Sequence, residues 1–309
     1  MCGIAGYFDK KRADAPVGAI LLAMLTALVR RGPDSAGAAL FGPREARGEI
    51  CWVKLPEVGN AEDAEATLLK RLASTGRTTA HIRRGPVVRA VIERKVEIRD
   101  LCRIVEQDGF EVVSLGRHLE LVKQVGTPAN LEGTIDLAGF HGSHGIGHTR
   151  LSTESKVDLS HSQPFWARGV ADLATVHNGH ITNYDRLRRI YEQRGFRFFT
   201  HNDSEVIAVY LADRLGQGST FEGALRSSLD DFDGSFTYLA ATADEFGYAR
   251  DPFALKPLIT VETADYVAIA NEEVAIRSAL GGAGVAHEPT GHVSKVWRRA
   301  SAGTKGVAA

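Results

Sequence analysis

Cys2 becomes the N-terminal residue once Met1 is removed, and its thiol then sits beside a free α-amine. A small second residue permits that removal. An α-amine titrates near pH 8, about right to accept a thiol proton at neutrality, so one residue can supply both nucleophile and base. The plainer alternative is a structural cysteine in a buried N-terminal strand. Far downstream, His177-Asn178-Gly179 combines a side-chain amide with a glycine N–H in what reads as a turn, and such donors suit a developing oxyanion. Asn-Gly is also the commonest hairpin signal.

Elements to position these residues can be read along the chain. Residues 4–8 read as a short buried strand, and Pro16 opens an apolar helix running to about Arg30. Arg31-Gly32-Pro33-Asp34-Ser35 has turn chemistry, with strands expected at 36–41 and 49–54. Residues 61–132 change to charged, helical texture, with a long helix expected over 87–107 and a strand over 110–115. This segment reads as an inserted subdomain. Its Arg83, Arg84, Arg89, Arg94 and Lys95 suggest a binding patch or, because Glu93, Glu97 and Asp100 are interleaved, a solvated helix face. Strands are expected again at 146–151, 173–177, 235–242, 248–250, 258–262 and 266–270, with helices at 183–194 and 205–215 between them. The pattern implies a layered α+β protein with mainly antiparallel sheets, spanning residues 2–309 and ending in a mobile tail at 301–309.

Composition narrows the function. With 37 basic and 38 acidic residues among 309, no net field draws the chain to nucleic acid or anionic lipid. The apolar run at 17–29 is too short to span a bilayer, and the N-terminus lacks a secretory pattern. Cys2, Cys51 and Cys102, an odd number without metal-like spacing, suit a reducing cytoplasm. His141, His144, His148 and His161 superficially suggest a metal site, but Gly142, Gly145 and Gly147 make the stretch a flexible loop leading to a strand, and no carboxylate or cysteine completes the set. The expectation is no metal.

The motifs carry more weight together than singly. Met1-Cys2-Gly3-Ile4-Ala5-Gly6, Arg31-Gly32-Pro33-Asp34-Ser35-Ala36-Gly37, Gly147-His148-Thr149-Arg150, His177-Asn178-Gly179-His180-Ile181-Thr182-Asn183-Tyr184 and Asn202-Asp203-Ser204-Glu205-Val206 follow one another across long, unequal gaps. In that order the chain resembles the class II glutamine amidotransferases of the N-terminal nucleophile (Ntn) hydrolase superfamily. The resemblance implies a four-layer αββα sandwich, here with an inserted helical subdomain, and glutamine hydrolysis through a Cys2 thioester. It implies Asn178 and Gly179 as oxyanion donors, Arg150 as the partner of the substrate carboxylate and Asp203 as the partner of its ammonium. Arg31 matches a family position beside the nucleophile, where a cation would lower the thiol pKa and order the loop, and it joins Arg150 and Asp203 as a substrate-binding candidate. A surface arginine and a helix N-cap are the bland readings of Arg150 and Asp203, and Asp203 can do both jobs.

Gly147 to Ser155, the 110–121 segment and Arg250-Asp251-Pro252-Phe253-Ala254-Leu255-Lys256-Pro257 look like the stand-alone glutamate synthase-like branch, which includes the small component of N-methylglutamate synthase. Gln163 and His201 depart from it at motif edges. That resemblance implies a hetero-oligomer, with no cofactor in this chain. Its partners would be an FMN-binding glutamate synthase-like subunit, with an iron–sulfur cluster as a further candidate there, and a glycine-rich β-helix subunit. The alternatives are a self-sufficient γ-glutamyl amidase and a non-catalytic regulatory subunit.

Overall fold

A computed structural model describes residues 2–152 and 156–299. The expected tail at 301–309 and Thr153, Glu154 and Ser155 of the Gly147 to Ser155 segment lie outside the described residues.

Strands β1 (Gly3–Asp9), β2 (Ser35–Phe41), β3 (Glu49–Lys54), β4 (Gly76–Arg84), β5 (Val87–Arg94), β6 (Glu111–Gly116), β7 (Leu119–Val125), β8 (His144–Arg150), β9 (Phe165–Trp166), β10 (Ala174–Ile181), β11 (Gly234–Ala241), β12 (Glu245–Arg250), β13 (Ile259–Glu262), β14 (Tyr266–Ala270), β15 (Ala286–His287) and β16 (Val293–Arg298) form three sheets. The helices are α1 (Val17–Ala27), α2 (Ala61–Thr75), α3 (Ile98–Val105), α4 (Tyr184–Gln193), α5 (Asp203–Gly216), α6 (Phe221–Asp231) and α7 (Glu273–Leu280). A seven-stranded sheet, ordered β15-β13-β14-β1-β8-β2-β7, faces a five-stranded sheet, ordered β16-β12-β11-β10-β9. Helices α1 and α7 cover the outer face of the first, and α5 and α6 that of the second. These strands pair antiparallel throughout the described residues. This is the four-layer αββα sandwich expected from the sequence motifs.

Side-chain alternation along β11 explains the layering. Phe236, Tyr238 and Ala240 pack with the α5 and α6 side chains, whereas Leu239 and Ala241 pack into the core between the sheets. A strand buried on both faces loses polar positions, because successive residues point to opposite sides. Helix α5 is buried through Ser204–Asp213 and is N-capped by Asn202, whose side chain accepts from the Ser204 amide at 3.0 Å. The cap is therefore Asn202, and Asp203 is the first helical residue, which leaves its carboxylate to other partners.

Two further expectations change. The stretch around Gly145 and Gly147 is no flexible loop but the buried strand β8, and a Cβ at Gly147 would lie 2.8 Å from Leu25 of α1. Glycine there lets the helix approach the sheet closely. The inserted segment is not mainly helical either. Residues expected in the long helix 87–107 form β5 and then α3, and 61–132 holds strands β4 to β7 beside α2 and α3. Val87, Val88, Val91 and Ile92 favour a pleated surface, and the interleaved Arg89 is held across the sheets by Glu120. Glu120 belongs to β7, an edge strand of the seven-stranded sheet, and also accepts from Trp52 of β3 at 2.6 Å. Glu120 is thus one buried carboxylate that ties the four-stranded sheet β4-β5-β3-β6 to the main body, beside the shared apolar core.

Candidate active site

Strand register delivers the site residues to one end of the sandwich. Gly3 pairs with Thr149 and Ser35 with Arg150, so Cys2, Arg150 and the start of β2 meet at one edge. From the facing sheet, β10 brings Asn178 and Gly179, and the first turn of α5 brings Asp203. Cys2, Arg150, Asn178, Gly179 and Asp203 line one cavity of about 360 Å³.

Cys2 is held by its backbone. Its carbonyl accepts from Asn178 Nδ2 at 3.1 Å and from Arg31 Nε at 3.0 Å, while its Sγ lies 3.7 Å from the Leu151 carbonyl. Because an Asn amide carries two N–H donors, Asn178 keeps one for a ligand while holding Cys2 with the other. Arg31, expected among the substrate-binding residues, lies behind Cys2, outside the cavity lining, and pairs with Glu272 at 2.6 Å. The next strand residue but one, Ile4, donates to Asn271 Oδ1 at 2.5 Å. Asn271 Nδ2 is itself anchored on the Pro257 carbonyl at 2.7 Å. Residues 271–272 therefore clamp residues 2–4 from the far end of the chain, and no local pattern could have revealed them.

His177, Asn178 and Gly179 do not form a turn, as their residue types suggested. They lie inside β10, with Asn178 opposite Thr237 and Gly179 opposite Phe236. Gly179 has φ +146°, and a Cβ there would fall 2.2 Å from the Ser235 carbonyl oxygen. A strand distorted in this way can point an N–H into a cavity that regular pairing would direct at its neighbour.

Beneath this strand, Gln163 takes a part its motif-edge position did not suggest. Its Oε1 accepts from the His177 N–H at 2.6 Å, and its Nε2 donates to the His177 carbonyl and to Ser204 Oγ, each at 3.1 Å. Ser204 Oγ also contacts His177 Nδ1 at 2.8 Å. Gln163 thus locks the backbone next to Asn178 to the first turn of α5.

Arg150 is 4% exposed, and Nη1 donates to the Lys156 carbonyl at 3.0 Å. Burial lowers its pKa from the usual guanidinium range, opposed by nearby Cys2, Asp158 and Asp34. A buried guanidinium favours an anionic ligand. Asp203 Oδ2 accepts from the Ile181 amide at 2.8 Å and lies 3.6 Å from His180 Nδ1. The cation comes from strand β8 and the anion from the first turn of helix α5, and both line the same cavity, an arrangement that suits a zwitterion. The other thiols differ from Cys2 in setting: burial pushes Cys102 up to about 12 and Cys51 well above its usual value, leaving both as inert thiols.

The four histidines go separate ways. His144 contacts the Thr242 carbonyl at 2.7 Å and stacks on Phe41, and His148 contacts the His177 carbonyl at 3.1 Å. His141 meets Gly139 and His161 meets Asp158.

Residues 148–278 match the family described as a glutamine amidotransferase domain, a span that holds Arg150, Asn178, Gly179 and Asp203 and lies downstream of Cys2 and Arg31. The glutamine amidotransferase-like protein GlxB of Rhizobium meliloti is 38% identical over 276 residues, covering 88% of this chain and 89% of that protein. A relative from Methanothermobacter thermautotrophicus, also named as a glutamine amidotransferase, is 34% identical over 287 residues, covering 91% of this chain and 94% of its own. Among solved structures, glutamine phosphoribosylpyrophosphate amidotransferase from B. subtilis superposes with a TM-score of 0.60 at 20% identity, over 96% of this chain and 49% of that one. At that identity the likeness is one of fold, and this chain spans about half of that protein.

Proposed function

The chain belongs to the class II glutamine amidotransferases, and from that premise we propose that it is the glutaminase subunit of a multi-subunit, glutamate synthase-like complex, resembling that of N-methylglutamate synthase. The observation that carries the reading is the meeting of Cys2, Arg150, Asn178, Gly179 and Asp203 around one cavity. In the proposed mechanism the α-amine of Cys2, freed by loss of Met1, takes the thiol proton. Sulfur attacks the side-chain amide carbon of glutamine, and the oxyanion is met by the free N–H of Asn178 and the N–H of Gly179. Collapse expels ammonia, which leaves with the proton held by the amine. Water then attacks the γ-glutamyl thioester and releases glutamate and the thiol. Arg150 holds the substrate carboxylate and Asp203 its ammonium, while Arg31 fixes the carbonyl of Cys2.

The partners follow from the same resemblance. Ammonia needs an enclosed route to an acceptor, and we assign that acceptor to an FMN-binding subunit, with a glycine-rich β-helix subunit beside it. An iron–sulfur cluster would belong to a partner. Docking against residues 31–36 would bear directly on the site, since Asp34 Oδ2 accepts from the Ser152 amide at 2.7 Å and the Asp34 N–H donates to the Arg150 carbonyl. The sheet-bearing segment within 61–132 offers further docking surface. Among the described residues no helix is long and apolar enough to cross a membrane. We place the protein in the cytoplasm, consistent with three unbridged cysteines.

Intact-mass analysis of the active protein should show a chain beginning at Cys2, and Cys2→Ala should abolish ammonia release while leaving the unfolding midpoint nearly unchanged. Full activity in a preparation retaining Met1 would overturn the mechanism. Co-expression with a flavin-containing glutamate synthase-like subunit should give a complex on size exclusion with faster glutamine hydrolysis than the isolated chain. Full activity alone and no complex would favour the self-sufficient amidase.

A further inference from the structure

A second cavity, of about 370 Å³, opens between α3 and the main body and shares no lining residue with the first. Its arginines differ from those the sequence brought forward. Arg83, Arg89 and Arg94 are each answered by a carboxylate, from Glu65, Glu120 and Glu49. Around this cavity Arg168 is likewise paired, with Glu106 and, at 3.8 Å, with Glu111. Arg99 and Arg197, on its rim, have no ion-pair partner among the described residues. Arg197 makes one long hydrogen bond, 3.3 Å, to the Glu106 carbonyl, and Arg99 lies with Cζ 5.0 Å from the centre of the Phe196 ring.

Both rim guanidiniums are also braced. Phe199 carries Arg168 at 3.8 Å and Arg197 at 5.0 Å, so the Arg197 head is supported by a ring that also packs on a half-buried, paired arginine. Arg99 is exposed and meets Phe196 on one side, which leaves its guanidinium accessible to a second planar group. Two forked cations with unused donors, held by aromatic rings at the mouth of a cavity, match a phosphate group better than a single carboxylate. The volume far exceeds what inorganic phosphate would fill and lies in the range of small-molecule sites, which start at about 300 Å³.

We propose that this cavity binds an organic phosphate of mononucleotide size, its phosphate held by Arg99 and Arg197 and its ring stacked on the Arg99–Phe196 pair. The site joins the inserted segment, through α3, to the loop after α4, so the ligand would bridge the two.

Isothermal titration of the full chain with adenosine 5′-monophosphate, adenosine and inorganic phosphate tests this directly. The nucleotide should bind with a dissociation constant below about 1 mM, and adenosine and phosphate at least about tenfold more weakly, since each makes half the contacts. Arg99→Ala combined with Arg197→Ala, both exposed and with unfolding checked by circular dichroism, should weaken nucleotide binding at least about tenfold. Cys2→Ala should leave it unchanged. Absence of nucleotide binding, equal binding by the double variant, phosphate binding as tightly as the nucleotide, or loss of binding in Cys2→Ala would each overturn the proposal. The last would instead place the ligand in the catalytic cavity. None of these readouts depends on glutaminase activity.

Discussion

Gly179→Ala tests the proposed backbone oxyanion donor. The added Cβ would sit 2.2 Å from the Ser235 carbonyl oxygen and 2.7 Å from Phe236 Cα, both backbone atoms of the neighbouring strand. An ordinary carbon–oxygen contact is about 3.3 Å, so β10 must separate from β11 by roughly 1 Å at this point. The φ of +146° adds strain for any residue with a side chain, roughly 1–3 kcal/mol. Displacing a catalytic donor by about 1 Å costs on the order of 100-fold in rate, and losing an oxyanion donor about 100- to 1,000-fold. The expected result is a fall in kcat of at least about 100-fold, or about 2.7 kcal/mol, with a much smaller change in KM. Urea unfolding should show about 2 kcal/mol lost stability. Gly218→Ala serves as the control, because its φ is +88° but a Cβ meets nothing within 4 Å. It should cost stability through strain alone, about 1 kcal/mol, without touching activity. If folded Gly179→Ala keeps kcat within about threefold of the parent, the Gly179 N–H does not stabilise the oxyanion and the assignment fails.

Arg150→Lys should lower kcat/KM for glutamine by about 1.5–3 kcal/mol, because the buried fork becomes a point charge, and Asp203→Asn should do the same on the ammonium side. Assays with an amide lacking the α-carboxylate and α-amine should show no such loss, and equal losses on both substrates would refute the roles. Stability should also depend on pH through buried histidines. Burial lowers the pKa of His144 and His148 to about 3, while in the unfolded chain they titrate near 6.5. Below pH 6.5 the unfolded state therefore binds protons that the native state refuses. The stability contributed by the neutral rings is complete above that pH and is lost as pH falls toward about 3. At pH 5 the two together should cost about 4 kcal/mol relative to pH 7. Urea denaturation at pH 7 and 5 should show that drop, with a shallower dependence in His144→Gln, and an unchanged slope in that variant would refute the attribution.

Much of the catalytic cavity was readable one residue at a time. Cys2 follows Met1, so its position alone marks it as the residue that would carry an α-amine after Met1 is lost, and Arg150, Asn178, Gly179 and Asp203 are residue types whose chemistry travels with them in short motifs. The strands of the two main sheets were also largely visible, because apolar runs bounded by turn residues record burial locally. Where local pattern misled, the deciding contacts were distant. Val87 to Arg94 looked helical because its charges are interleaved, yet Arg89 is neutralised by Glu120 on another sheet, which frees the β-branched residues to set the conformation. Asn178-Gly179 carried a hairpin signal that pairing with β11 overrode. Asn271 and Glu272, which hold Ile4 and Arg31, and Gln163, which locks His177 to Ser204, are ordinary polar residues in the sequence. Side-chain type thus determined which groups can react. Only tertiary pairing of β1 with the distant β14, which sets up hydrogen bonds closing loops of 241 and 267 residues, decided how Cys2 is held among them.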